Sequence, residues 1–331
     1  HELGALGILE RENSTVLNGA LLGVARDVAG TLAAALAHRQ IDALLFFAQN
    51  DGTLMALDHA VRFPVLTIGS GPANSLRGAA YLTGREDGIV VDVGGTSTDI
   101  GVLVSGFPRE SSQAVEIGGV RTNFRMPDIV SIAVGGGTKV HAGAIGPESV
   151  AWRIGTEGLA FGGDTPTLTD GALLGGRAVG IGSGMPSAEY AELLGAGLAM
   201  ADEAVADAID RVKTSRSAAP NNAGGGGSII LAADIPGAPG IRRPDHHDVA
   251  NANGAPNAKG SGSAEEVVTY TARAHAEAVQ EIAARAGAAA VAAGADPERV
   301  EVVDVEETPL TYMMEPAARI RVKAAGPLVM G

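Results

Sequence analysis

Apolar and polar residues along this chain follow two periods, and together they predict a mixture of helices and strands. Residues 13–40 begin with Asn, Ser and Thr and continue as an apolar stripe, which is typical of a helix. Residues 187–215 place apolar side chains at steps of three and four, which predicts a second long helix. Further helices are predicted over 72–84 and, in an alanine-rich segment, from about 264 to 293.

Strands are predicted in groups between these helices. The candidate segments are 41–54, 63–68, 88–104, 114–140, 229–231 and 299–328. The segment 88–104 reads as a tight hairpin, and the last segment alternates like a pair of strands. Because groups of strands lie between helices, the order predicts an α/β fold with a mixed sheet.

Composition narrows the class of protein. The chain has 331 residues, enough for about two lobes, and a formal net charge of −14 argues against nonspecific binding to nucleic acid or to an anionic membrane. It contains no cysteine, which excludes disulfides, zinc fingers and cysteine-bound iron–sulfur clusters. No uninterrupted apolar run approaches 18 residues. These features predict a cytoplasmic protein with neither a nucleic-acid nor a membrane partner.

The hairpin GIVVDVGGTSTDIGVL, residues 88–103, is the strongest candidate for chemistry. Gly94 and Gly95 allow backbone N–H groups to approach phosphate oxygens, and the hydroxyls of Thr96 and Thr98 add donors. Asp92, at the end of the first strand, would hold Mg²⁺ through water or orient a nucleophile, so it is the predicted catalytic and metal residue. The alternative is an ordinary hairpin whose polar side chains satisfy the turn. Asp99 either contributes to this predicted phosphate site or only caps the turn.

Two further glycine segments are candidate ligand loops. The predicted contacts with the terminal phosphates or the substrate are Gly135, Gly136 and Gly137, with Lys139 beside them either steadying charge or simply solvated. The predicted contacts with a base and ribose are Gly224, Gly225, Gly226, Gly227 and Ser228, because glycines let a flat ring lie against the backbone; the alternative is a flexible linker. Adjacent histidines in PDHHD lack metal-ligand spacing, so a helix-start cap is preferred there.

The hairpin resembles the second phosphate hairpin of the actin-like ATPase superfamily. More narrowly, the chain resembles the hydantoinase A/5-oxoprolinase family in HELGALGILERENSTVLNGAL, GSGPANSLRGAAYLTG, GFPRESSQAVEIGGVRTNFRMPDIVSIAVGGGTKV, GPESV and FGGDTPTLTD. This resemblance implies an RNase H-like lobe with a mixed β-sheet flanked by helices, plus a partial second lobe. Residues 1–71 would be the C-terminal part of the first lobe, 72–84 a connecting helix and 88–330 the second lobe. The first-lobe hairpin has no candidate in 1–87, so a chain without its N-terminal part is expected.

The family resemblance also implies a reaction. ATP with Mg²⁺ would phosphorylate the carbonyl oxygen of a small cyclic amide, and water would then open the ring. Implied partners are a hydantoinase B-like subunit or further copies of the chain. A ketone carboxylase subunit, an ATP-dependent reactivating chaperone and a non-catalytic fragment are the alternatives. Residues 146–163, GPESVAWRIGTEGLAFGG, depart from the Pro-Gly-Pro-Ala-Cys segment of large relatives, which leaves substrate choice open.

Overall fold

The computed structural model describes residues 7–111, 114–213, 221–235, 240–255, 258–271, 273–311 and 313–329. The helices are α1 (Ile8–His38), α2 (Leu57–Arg62), α3 (Ser70–Thr83), α4 (Ile154–Glu157), α5 (Leu168–Leu174), α6 (Ala191–Val212), α7 (Ala250–Gly254) and α8 (His275–Ala292). The strands are β1 (Phe46–Ala48), β2 (Leu54–Ala56), β3 (Gly88–Val93), β4 (Thr98–Val104), β5 (Phe107–Pro108), β6 (Val115–Ile117), β7 (Val120–Thr122), β8 (Ile129–Ile132), β9 (Thr138–His141), β10 (Ala144–Ser149), β11 (Asn221–Gly224), β12 (Gly260–Thr269), β13 (Glu301–Pro309) and β14 (Ala317–Gly326).

The chain forms two compact units. Unit 1 comprises the described parts of 7–70, 111–126 and 258–329, and unit 2 those of 71–110 and 127–255. These boundaries differ from the predicted division at 71 and 88, because the C-terminal segment joins the N-terminal one. The reason lies in the sheet of unit 1, in which β12 lies between β2 and β14.

Unit 1 is built on a five-stranded sheet. Its strand order is β1-β2-β12-β14-β13, and α8 packs on β12 and β14. The helix buries small or apolar residues every fourth position, at Ala278, Ile282, Ala286 and Ala290. The approach is close: a methyl group placed on Gly262 would lie 2.2 Å from the backbone nitrogen of Ala290. Glycine is therefore required in β12 where α8 crosses it.

Unit 1 also contains a buried ion pair. Lys323 Nζ lies 2.8 Å from Asp51 Oδ2, and the two side chains are only 7% and 13% exposed. The Ser261 hydroxyl donates to the same carboxylate at 3.0 Å, and so does the backbone N–H of Thr53. Burial alone would raise the pKa of Asp51, but the Lys323 ammonium and the hydrogen bonds from the hydroxyl and backbone N–H of Thr53 lower it to about 2. The pair thus joins the β1–β2 connection to β12 and β14.

Helix α1 exposes much of its apolar surface. Only Ser14, Asn18 and Ala29 of its 31 residues are buried. Val16, Val24 and Val28 are each more than half exposed. By length and composition alone α1 could cross a membrane, although signal sequences and the core helices of soluble proteins meet the same criterion. The absence of a membrane partner therefore remains a prediction.

Unit 2 is built on a second mixed sheet, and this sheet positions the candidate site. Its order is β11-β3-β4-β5, with β8 paired to β4; β11 runs parallel to β3 and the other pairs are antiparallel. Side chains of β3 alternate between faces. Ile89, Val91 and Val93 enter a large core that includes α6, whereas Val90 packs with Leu76 of α3.

Some predicted elements differ in the structure. Segment 41–54 forms the short antiparallel strands β1 and β2 instead of one strand. Residues Pro64–Thr67 and Gly226–Ile230 form 3₁₀ turns where strands were predicted. Residues 264–269, predicted as helix, belong to β12, which pairs with β14 along ten residues. The class α/β, the hairpin at 88–104 and the C-terminal strand pair are confirmed.

Candidate functional site

The β3–β4 hairpin has the geometry that the sequence predicts. Asp92 and Asp99 are directly paired across the two strands. The Gly94 N–H donates to the Ser97 carbonyl at 2.8 Å and closes the turn. Gly95 and Thr96 are exposed at its tip. The tip therefore presents backbone at the surface of unit 2 with a carboxylate a few residues away.

The segment at 135–137 supports this tip from one side. The Gly136 N–H donates to the Gly94 carbonyl at 3.0 Å, and the Gly137 N–H donates to the Gly95 carbonyl at 2.7 Å. A methyl group on Gly135 would lie 2.7 Å from the backbone nitrogen of Thr96. Glycines are needed here because two backbone segments are in direct contact.

The third glycine segment meets the hairpin at Asp92. In the parallel pairing of β11 with β3, Gly224 lies opposite Asp92. A methyl group on Gly225, whose φ is +76°, would lie 2.5 Å from Asp92 Oδ1, and one on Gly227 would lie 2.3 Å from the Gly94 carbonyl oxygen. Three segments distant in sequence therefore converge on one carboxylate and one turn.

Asp92 has a perturbed environment. Burial raises its pKa, and the charge of Asp99 raises it further, whereas a hydrogen bond from the Ser75 hydroxyl lowers it. Ser75 lies on α3, and its hydroxyl also accepts from Asn251 Nδ2 at 3.4 Å. A half-buried carboxylate beside exposed backbone donors suits a group that orients a nucleophile or holds a hydrated cation.

Several predicted donors have other roles. Thr98 is fully buried and its hydroxyl donates to the Val134 carbonyl at 2.6 Å, so the prediction that it contacts phosphate is corrected. The three glycines at 135–137 are buried and their N–H groups are engaged: Gly135 donates to the Thr138 hydroxyl, and the other two donate to the hairpin. Their role in the structure is to hold the hairpin turn in position. Gly95 and Thr96 remain the exposed candidates.

The segment predicted to contact the base and ribose, residues 224–228 (the base-side segment), is also partly buried. Gly224, Gly227 and Ser228 are buried, whereas Gly226 is exposed. The Ser228 hydroxyl has no hydrogen-bond partner among the described residues. The Gly225 N–H donates to the His247 carbonyl at 2.9 Å, so PDHHD supports this segment through its backbone. Gly226 is therefore the position in 224–228 most open to a ligand.

Asp99 has a local partner. Its carboxylate accepts the hydroxyl of Ser131, which is its paired residue on β8. The structure thus links it to a neighbouring strand instead of to the turn backbone. Its charge acts on Asp92 through space.

Four supporting side chains were not predicted from the sequence. Ser75 donates to Asp92, and Asn251 donates to Ser75, as described above. Thr169 donates its hydroxyl to the Gly136 carbonyl at 2.9 Å, and Ser149 donates to the Gly95 carbonyl at 3.2 Å. The T-x-x-D pattern of Thr167 and Asp170 predicts a capping box at the start of α5, and Thr169 lies within that pattern. The other three side chains have no such local signal.

The donor set fits one kind of cation. No group of three or more metal-ligating side chains occurs among the residues that the structure describes. Mg²⁺ commonly keeps several waters and binds one or two carboxylates together with substrate phosphates. Asp92 beside the hairpin tip matches that mode, whereas a cage formed wholly by protein does not fit.

Gly227 and Gly226 provide a matched test of this convergence. We expect Gly227→Ala to lower the free energy of unfolding by about 1–3 kcal/mol, because its methyl group would displace the Gly94 carbonyl. Gly226→Ala has no atom within 4 Å of the added carbon and should change it by less than about 0.5 kcal/mol. Urea unfolding of both variants measures this. Equal stability of the two would contradict the close packing described here.

Comparison with known proteins identifies relatives of this chain. The family model described as hydantoinase/oxoprolinase matches residues 11–179, which are 169 of the 331 residues. The acetophenone carboxylase gamma subunit of Aromatoleum aromaticum is 32% identical over 113 residues, covering 31% of this chain and 15% of that protein.

Two solved structures are similar over nearly the whole chain. The ATP-dependent caprolactamase of Pseudomonas jessenii gives a TM-score of 0.70 at 19% identity, covering 94% of this chain and 57% of that one. Nucleotide-free acetone carboxylase gives 0.68 at 13% identity, covering 98% and 58%. The chain thus spans less than two thirds of the length of these relatives. The predicted fold class, an α/β fold with a mixed sheet flanked by helices, is confirmed.

Proposed function

Because the chain belongs to the hydantoinase/oxoprolinase family, we propose that unit 2 carries the nucleotide site of an ATP-dependent enzyme that opens a cyclic amide. The observation that carries this proposal is the convergence of three glycine segments on Asp92 and the hairpin tip. Backbone donors in such a turn suit phosphate oxygens.

The roles follow from position. Gly95 and Thr96 at the exposed tip would donate to the terminal phosphates, and Gly226 would lie against the nucleoside. Asp92, with Ser75 holding its carboxylate, would hold hydrated Mg²⁺ or orient the attacking group. When bound, Mg²⁺ would neutralise charge on the phosphates. Gly136 and Gly137 would fix the tip so that its donors need no rearrangement.

The reaction balances without a protein nucleophile. The γ-phosphoryl group moves from ATP to the amide carbonyl oxygen, and ADP leaves. Water then adds to the activated carbon, and the C–N bond breaks with the nitrogen taking a proton, which leaves an acyl phosphate. A second water hydrolyses the acyl phosphate and releases phosphate. The sum is cyclic amide, ATP and two waters giving the ring-opened amino acid, ADP and phosphate. The protein's task is to position and stabilise charge, which agrees with a site made mostly of backbone.

A ketone substrate is the second candidate. It is supported by the relatives named as acetophenone carboxylase gamma subunit and acetone carboxylase. A ketone activated as its enol phosphate would attack carbon dioxide through its α-carbon, and the phosphoryl group would pass to water as phosphate. The name of the first relative also supports a partner subunit for this chain, of the hydantoinase B-like kind or a second copy.

Phosphate release tests the proposal directly. The protein that contains this chain is given ATP with Mg²⁺, alone and with caprolactam, hydantoin, 5-oxoproline, or acetophenone plus bicarbonate. We expect one cyclic amide to raise phosphate release several-fold above the ATP-only rate. Stimulation by acetophenone alone would favour the ketone reaction. Hydrolysis that ignores every compound but responds to a partner protein would favour a chaperone, and no binding of ATP would reject the nucleotide site.

A further inference from the structure

The turn that follows β10 is attached to the hairpin tip. The Ser149 hydroxyl donates to the Gly95 carbonyl, and the Val150 N–H donates to the Gly137 carbonyl at 2.9 Å. A methyl group on Gly137 would lie 3.2 Å from the backbone nitrogen of Ala151. Residues 149–151 are therefore in direct contact with the candidate phosphate loops within unit 2.

The next residue is the single tryptophan of the sequence, Trp152, and its side chain is 85% exposed. Tryptophan is highly buried on average in folded proteins. Ala151 before it has a φ of +51°, a left-handed conformation that is unfavourable for a residue with a Cβ atom. The Arg153 guanidinium lies 5.9 Å from the indole centroid, and Arg153 is itself paired with Glu157. A strained backbone thus supports an indole exposed to solvent.

The order of contacts along the hairpin indicates what this indole faces. The base-side segment contacts the hairpin at Asp92, Val93 and Gly94, at the end of β3. The turn carrying Trp152 contacts it at Gly95, on the tip. A nucleotide whose base lies at the first contact and whose phosphates lie at the second would direct its terminal phosphate toward the turn that carries Trp152.

We propose that Trp152 is a specificity-determining contact for the carbonyl substrate, whose planar amide or ketone group stacks on the indole ring. This inference rests on the proposed function. A flat conjugated group gains apolar contact and favourable electrostatics on an aromatic face. Arg153 beside the ring places positive charge near the carbonyl oxygen that receives the phosphoryl group.

Steady-state kinetics with two variants test this contact. We expect Trp152→Ala to raise the KM for the stimulating carbonyl compound about 3- to 10-fold, with the KM for ATP changed less than about twofold. Trp152→Phe should restore most of the affinity because it keeps a ring. Tyr81→Ala, which removes an exposed aromatic side chain from α3 of the same unit, should change neither KM.

Fluorescence gives a second readout that does not require turnover. We expect caprolactam or hydantoin to quench or blue-shift the indole emission in the presence of ADP, and this change should be absent in Trp152→Phe. If the wild type turns over but Trp152→Ala has normal KM values, the inference fails while the proposed function stands. The inference would also be overturned if Trp152→Ala raised only the KM for ATP, or if its only effect were to abolish binding of a partner protein. If the wild type shows no turnover, the proposed function fails, and unchanged indole emission then rejects the substrate contact independently.

Discussion

Replacing Asp92 with asparagine is expected to lower ATP-dependent turnover about 100-fold or more, with the fold intact. The carboxylate is the acidic group on which the three glycine segments converge, and asparagine keeps its shape while removing its charge. Because burial raises the pKa of Asp92, the charged form is disfavoured in the folded protein. The thermal midpoint of Asp92→Asn should therefore stay equal to that of the wild type or rise.

The pH dependence of turnover identifies the group. If Asp92 must be ionised, the acidic limb of kcat/KM lies above the range of an ordinary aspartate, since its pKa is raised. Ser75→Ala removes a hydrogen bond that favours the charged form, so the limb should move to higher pH. Asp99→Asn removes a neighbouring negative charge, so the limb should move to lower pH with turnover largely kept. If neither variant shifts the acidic limb of kcat/KM, Asp92 does not have the proposed role.

Loss of the buried ion pair in unit 1 is expected to produce the largest change in stability. Lys323→Ala leaves the Asp51 carboxylate without the ammonium that lies 2.8 Å away, and should lower the free energy of unfolding by about 3–5 kcal/mol. Arg285→Ala removes a surface partner of Glu266 in the same unit, where the side chains are 52% and 34% exposed, and should cost less than about 1 kcal/mol. Urea unfolding compares the two.

The dependence of the free energy of unfolding on acidic pH gives a second measurement on the Asp51–Lys323 pair. The pKa of Asp51 is about 2 in the folded chain and close to 3.9 in an unfolded one. Its contribution is therefore complete above about pH 5 and is lost as the pH falls toward 2. The double variant Asp51→Asn with Lys323→Met should lose this part of the acid dependence while recovering part of the stability lost in Lys323→Ala. Equal acid slopes in the wild type and the double variant would contradict this assignment.

The predictions that succeeded came from local patterns. The hairpin at 88–104 was readable because glycines and hydroxyl residues separate two apolar runs. Helix α6 was readable from its apolar spacing. Residues 264–269 were assigned to a helix because alanine and glutamate have high helix propensity, but pairing with β14 and coverage by α8 decide the outcome.

Much of the candidate site depends on contacts across long distances in sequence. The sequence placed Asp92 and the three glycine segments, but not the burial of Thr98 or the internal hydrogen bonds of 135–137. Ser75 and Ser149 carry no local signal, because each acquires its role only where α3 or the turn after β10 meets the hairpin. A donor predicted from composition becomes available to a ligand only if folding leaves it exposed.

The hydrogen bonds from Gly136 and Gly137 to the hairpin carbonyls have one further consequence. They hold the hairpin tip in its conformation through contacts within unit 2 itself, so the turn proposed to bind phosphate does not need a ligand to order it. Binding of a polyanion there would cost little ordering entropy, and selectivity would depend on how well the shape of the ligand matches the turn.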